Sequence, residues 1–189
     1  MMTAKDRQLL MYGLIYPAVL GTGLVAMAMQ IASYLQQGDR FFLTRMSLAG
    51  LFLFFFCISF VAGSKVPSDP PKPKYSWAAF GCDLIEVFFM FCCFLALGLF
   101  SQPAATPHPR TAYLVFLVLI PGQMAWRWSV GLKAREWWPL RLMAFVALLF
   151  GWLFGHSGTI VTPVVAMFCV IVTLIYVAKP KWCEKWFAD

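Results

Sequence analysis

The sequence predicts an all-α, polytopic membrane protein: a bundle of six transmembrane helices forming one domain over residues 1–189, with both termini cytoplasmic. Three observations predict it. Of the 189 residues, 61 % are hydrophobic and only 12 % are charged, and the mean hydropathy is +0.76. An ordinary soluble domain carries about twice that charge. Six apolar stretches each come near the ~20 residues that a helix needs to cross a hydrocarbon core of about 30 Å. Twelve of the fifteen Lys and Arg residues fall on one side of a chain that crosses six times, which is the bias of cytoplasmic loops. A soluble fold of this size has too little interior to hide so much apolar surface. The composition therefore excludes a soluble enzyme, a disordered tail and a disulfide-stapled secreted module.

The first span is expected over about residues 9–34, behind Lys5 and Arg7. Ala26-Met27-Ala28 loosely resembles a leader cleavage site, but the apolar run is too long for a cleaved leader, so a retained span is expected. The second span covers about 43–63 and includes the run Phe52-Leu53-Phe54-Phe55-Phe56. Arg45, at its outer entrance, is expected to snorkel to the outer headgroups. The loop that follows carries Pro67, Pro70, Pro71 and Pro73 among lysines, which predicts an extended cytoplasmic strap. The third span covers 76–100, and the proline-bearing loop after it, with His108, lies on the outer side. The fourth and fifth spans, 112–131 and 138–155, are separated only by Gly131 to Trp137, and the sixth covers 159–178. In the tail, 179–189, Trp182 and Trp186 are four apart and share a helical face among lysines. That mixture suits the headgroup layer, so an amphipathic interfacial anchor is expected there, with Arg141 as a further residue at the same level.

Orientation follows from the basic residues. With Lys5 and Arg7 cytoplasmic, so are Lys65, Lys72, Lys74, Arg127, Lys133, Arg135, Arg141, Lys179, Lys181 and Lys185. Only Arg40, Arg45 and Arg110 face outward. This sorting explains the net charge of +7 through anionic lipid headgroups on the cytoplasmic face, and no nucleic-acid partner is expected. The predicted location is the cell (inner) membrane.

Asp83 and Glu86 are the most informative residues. They fall about 10–15 Å inside the cytoplasmic end of the third span, given a rise of 1.5 Å per residue. Their i, i+3 spacing puts both carboxyls on one helical face. An acid at such depth is expensive and is rarely there without a role. The pair suits proton uptake or cation binding. Its structural alternative is an ion pair with Arg127 or Arg141. A second signal is Pro121-Gly122-Gln123 in the middle of the fourth span, where a proline and a glycine predict a helix break beside an amide, with Arg127 one turn later. Asp83, Glu86, Gln123 and Arg127 are therefore the expected solute- or ion-binding set. Gly151 and Gly155 form a GxxxG pattern that points to a dimer face.

Two histidines on different segments, no Cys/His cluster and no phosphate loop predict neither cofactor nor metal, and no catalytic residues are assigned. The six cysteines lie in spans or the cytoplasmic tail, where disulfides are not expected, and the vicinal Cys92-Cys93 pair reads as small buried hydrophobes. The expected function is a small transporter or channel for a cation or small polar solute, proton-coupled through Asp83 and Glu86. The alternative is a non-catalytic subunit or assembly factor of a larger membrane complex. A lipid-modifying enzyme ranks below both, because no DxxxD or DDxxD pattern is present. A homo-oligomer and a larger assembly are both compatible with the sequence.

Overall fold

Local signals set the helix ends. Thr3 opens the first helix with a capping box, its hydroxyl accepting from the Asp6 amide at 3.1 Å while the Asp6 carboxyl accepts from the Thr3 amide at 2.9 Å. The helix therefore starts before the apolar run that marks it in the sequence. Ser76 caps the third helix by accepting from the Ala79 amide, and Pro109 opens the fourth in the first turn, where its missing N–H costs nothing. Gly98 and Gly131, at φ 68° and 72°, end the third and fourth helices in the left-handed conformation that glycine adopts most readily.

The computed structural model describes residues 2–38, 41–66, 75–100, 107–131, 138–155 and 160–178. Among these residues are six helices: α1 (Ala4–Gln37), α2 (Phe42–Ser64), α3 (Trp77–Ala96), α4 (Pro109–Ser129), α5 (Trp138–Phe154) and α6 (Val161–Ala178). All six lie within a few residues of the stretches named above. Four of them, α1, α2, α3 and α6, are long and apolar enough to cross a membrane. The apolar part of α5 is shorter, Pro139–Phe154, and α4 is diluted by Pro121, Gly122, Gln123 and Arg127. The proline-rich strap and the tail with Trp182 and Trp186 lie outside the described residues.

Within the helices themselves, two features differ from expectation. The predicted break at Pro121 is absent, and α4 runs through the proline as one helix. A proline removes a single intrahelical bond, and packing against neighbours carries the helix across it. The second difference is a π-helical stretch in α1, Leu9–Ile15, that no sequence pattern announces. Its wider turn shifts the side chains that follow, and Tyr12 and Tyr16 stack at 5.1 Å with both rings buried.

The helices close a ring. α1 packs on α2, α2 on α6, α6 on α5, α5 on α4, α4 on α3, and α3 returns to α1, while α2 and α4 also meet across the middle. Phe52 of α2 and Phe116 of α4 form that central contact, with ring centroids 3.6 Å apart. Large apolar side chains remain exposed around the outside, among them Leu24, Leu43, Phe88, Val118, Val146 and Met167, one from each helix. So much outward apolar surface suits a lipid environment.

The ends of the ring are tied separately. At one end the Gln8 amide donates to the Gly63 carbonyl at 2.9 Å and the Val66 carbonyl at 2.8 Å, and Arg7 Nη2 donates to the Tyr75 carbonyl at 3.1 Å. At the other end Gln30 Nε2 donates to the Leu99 carbonyl at 3.0 Å, and the His108 amide donates to the Ala96 carbonyl at 2.7 Å. Successive helices therefore alternate in direction.

The GxxxG pair has an internal use. A Cβ on Gly151 would come within 2.5 Å of the Tyr113 ring of α4, and one on Gly155 within 2.9 Å of the same ring. These glycines let α5 approach α4 in the same chain, in place of the dimer face read from the sequence. Gly151→Val is accordingly expected to lower stability by about 1–3 kcal/mol through overpacking. Thermal unfolding in detergent reads this as a drop in Tm, and an unchanged Tm would show that Tyr113 can move aside.

Candidate functional site

Asp83 and Glu86 follow Trp77 by six and nine residues, which places them about 9 and 14 Å along α3. The i, i+3 spacing turns both inward, and they are only 2 % and 5 % exposed. Each meets a different set of neighbours.

Asp83 is held by two phenols. Its Oδ2 accepts from the Tyr12 hydroxyl at 2.7 Å and from the Tyr75 hydroxyl. Tyr12 arrives from the π-helical stretch of α1, and Tyr75 sits two residues ahead of α3. Burial first, and then the nearby Asp83 carboxyl, push the Tyr75 phenol above its usual range, so it stays a proton donor. Arg7 steadies this end, donating to the Tyr75 carbonyl and lying 4.3 Å above the Trp77 ring.

Glu86 is held by an amide. Its Oε2 accepts from Gln123 Nε2 at 2.6 Å, and the same nitrogen donates to Ser59 Oγ of α2 at 3.0 Å. Glu86 Oε1 and the hydroxyl of Tyr16 are both buried and make no hydrogen bond. Among the described residues neither carboxyl forms an ion pair with Lys or Arg. The structural alternative drawn from the sequence, a lock onto Arg127 or Arg141, is therefore absent. An ionised carboxylate in such surroundings costs on the order of 3 kcal/mol at membrane depth.

Arg127 and Arg141 meet each other's neighbourhood. Arg127 Nη1 of α4 and Arg141 Nη2 of α5 both donate to the Tyr176 hydroxyl of α6, each at 2.9 Å. The Arg141 guanidinium also lies 5.4 Å from the centre of the Tyr176 ring. These groups line a cavity of about 150 Å³ between α2, α4, α5 and α6, whose wall also includes Ser59, Gln123 and Phe55. Asp83 and Glu86 do not line it. Gln123 is the link, because it borders the cavity and bonds Glu86 at the same time. Of the expected set, Glu86, Gln123 and Arg127 fall along one connected path, and Asp83 sits beside it with the tyrosines. Arg141, read as a headgroup contact, faces this cavity, and the headgroup residues Trp182 and Trp186 fall outside the described residues.

Tyr12, Tyr75, Ser59 and Tyr176 were not singled out by the sequence. A tyrosine in an apolar run carries a hydroxyl that needs a partner when buried, which is the one signal available for three of them. Arg45 departs from its expected snorkelling. It continues the inward stripe of Leu48, Phe52 and Phe56 on α2, is 0 % exposed, and donates from Nη1 to Gln30 Oε1 at 3.0 Å. Among the described residues Cys57, Cys82, Cys92, Cys93 and Cys169 are free thiols, and no group of three or more potential metal ligands occurs.

The Tyr12–Asp83 bond depends on a close approach. A Cβ on Gly63 would overlap the Tyr12 hydroxyl. Gly63→Ala and Tyr12→Phe are each expected to destabilise the protein by about 1–3 kcal/mol, since both disturb a hydrogen bond to a buried carboxyl. Because they act on the same contact, the double variant should cost less than the two single costs combined. Additive losses in detergent unfolding would separate Gly63 from the Asp83 contact.

Comparison with protein families, with curated proteins and with solved structures finds no match to this chain.

Proposed function

We propose that this chain is a small multi-pass transporter of a cytoplasmic (inner) membrane, with six spans and both termini on the cytoplasmic side. It moves a small polar solute or ion, and Asp83 and Glu86 carry the coupled proton. One observation carries the reading: two carboxyls are buried on one face of α3 among neutral hydrogen-bond donors, with no basic partner among the described residues. A pair built only to join helices gains most from a counter-charge, whereas a group that takes up and releases a proton needs surroundings that tolerate both forms.

The path next to the pair supports the same reading. Gln123 joins Glu86 to the cavity, so a change of proton at Glu86 is felt one side chain away from a bound solute. The six-span reading is supported by the closed ring, in which α4 and α5 pack beside the four longer helices. The shorter α5, about 25 Å long at 1.5 Å per residue, is accommodated by modest local thinning of the bilayer. The excess of Lys and Arg assigns the end holding Arg7, Arg127 and Arg141 to the cytoplasm.

The test is proton movement in liposomes loaded with a pH-sensitive dye, with small amines, amino acids and carboxylates supplied outside in turn. A solute-dependent pH change that is lost in the Asp83→Asn, Glu86→Gln double variant supports the reading. An equal pH change in that variant would remove the two acids from the mechanism.

A further inference from the structure

We infer that Asp83, Glu86 and the Tyr16 hydroxyl form a binding site for a sodium ion, which exchanges for one proton of the acid pair. The inference deepens the transport reading by naming an ion at the coupling pair. Binding itself does not depend on that reading.

Each carboxyl commits one oxygen to neutral donors. Oδ2 of Asp83 takes both phenols, and Oε2 of Glu86 takes the Gln123 amide. Oδ1 and Oε1 take none of these donors, and Oε1 is buried without a hydrogen bond. Sodium has nearly the ionic radius of calcium, whose oxygen contacts are about 2.3–2.6 Å. Such an ion can bridge two carboxyls whose Cβ atoms stand about 5–6 Å apart, as i, i+3 neighbours on a helix do.

Tyr16 brings a third oxygen to the same place. It is 0 % exposed, and its hydroxyl makes no hydrogen bond. Tyr16 follows Tyr12 by four residues on α1 and stacks on its ring, so the two phenols run side by side. Successive helices alternate in direction, which makes α1 and α3 parallel. The step from Tyr12 to Tyr16 therefore matches the step from Asp83 to Glu86. Tyr12 reaches Asp83, and Tyr16 comes beside Glu86 without bonding it. A buried polar group left unbonded is costly, and a cation set between these oxygens gives the lone pairs of both a partner.

Charge selects a monovalent ion. With both carboxyls ionised the pair carries two negative charges among apolar walls, and no Lys or Arg pairs with either. One retained proton and one sodium ion bring the pair to neutrality. Calcium takes six to eight oxygens, and among the described residues no group of three or more potential metal ligands occurs. In the exchange one carboxyl O–H bond breaks, its proton leaves, and sodium takes the freed oxygen; no electron moves. The other titratable groups facing the pair are the phenols of Tyr12, Tyr16 and Tyr75 and the Cys82 thiol. From α2 and α4 the facing groups are Ser59 and Gln123, which do not titrate. Arg7, at this end of the bundle, turns its guanidinium to the Met2 and Tyr75 carbonyls.

The purified full chain in detergent is unfolded thermally in sodium chloride and in choline chloride at equal ionic strength, choline being too large for a site between side chains. A saturable rise in Tm is expected with sodium and not with choline. One-for-one exchange further requires that the apparent sodium affinity weaken as the pH is lowered, up to about tenfold per pH unit. Glu86→Gln is expected to weaken sodium by about tenfold or more, through loss of a charged ligand, and Tyr16→Phe by about fivefold. In choline, Tyr16→Phe is expected to leave Tm unchanged or higher, because the hydroxyl it removes has no partner there. It also serves if Glu86→Gln does not fold. Equal Tm in sodium and choline overturns the inference, as does a sodium effect that both variants leave intact. A large loss of Tm for Tyr16→Phe in choline overturns it too, since the hydroxyl would then bond Glu86 directly. Sodium binding without solute-driven proton movement in liposomes leaves this inference standing and removes the transport reading. Proton movement in a protein that sodium does not stabilise does the reverse.

Discussion

Glu86→Gln protein in liposomes is expected to lose solute-driven proton movement by about tenfold or more, a loss of about 1.4 kcal/mol in the coupled step. The substitution is nearly isosteric, and the glutamine carbonyl can still accept from Gln123, so the helix contact survives. What it removes is the ability to gain and lose a proton at the one carboxyl that bonds a cavity-lining side chain. Asp83→Asn is expected to act less directly. Its two phenol donors also suit a carboxamide oxygen, and Asp83 makes no hydrogen bond to a cavity-lining side chain. The order of the two effects is therefore part of the prediction. If Asp83→Asn were the more damaging and Glu86→Gln nearly silent, coupling would run through the tyrosine cluster and not through Gln123.

Gln30→Leu is expected to give the largest loss of stability, about 3–5 kcal/mol, comparable to removing one partner from a buried charge. Gln30 accepts from the fully buried Arg45 and donates to the Leu99 carbonyl, so one truncation disturbs a cation and a backbone acceptor together. The loss is read as a lower unfolding temperature in detergent. Replacing both partners, Gln30→Leu with Arg45→Met, is expected to recover a substantial part of it, because apolar side chains of similar volume remove the buried cation together with the acceptor it bonds. A double variant as unstable as the single one would mean that the surrounding backbone, and not the charge, carries the cost.

The helices were legible because each is announced locally. Apolar runs of membrane length, Pro109 at a helix start and the glycines at helix ends are read within a few residues of one another. Half of the candidate site was legible for the same reason. The spacing of Asp83 and Glu86 already places them on one face, and that of Gln123 and Arg127 does so one helix later. The tyrosines around Asp83 were not. Tyr12 reaches it from 71 positions away, through a π-helical turn with no sequence pattern of its own. Position at a span entrance suggests a headgroup contact for Arg45, and only Gln30, brought near by packing, reveals a buried one.

The sequence by itself determined that the chain is helical, rich in apolar runs, and marked by two acids on one face of its third helix. These are properties of composition and of spacing over a few residues, which periodicity records directly. The tertiary structure alone decided the order of helices around the ring, the internal use of the Gly151/Gly155 pair, and the pairing of Glu86 with Gln123 while the arginines gather on Tyr176. Those choices turn on which faces of distant segments pack together. Inside an apolar bundle each buried donor must find its acceptor on whichever helix the packing brings near, and sequence separation does not record that.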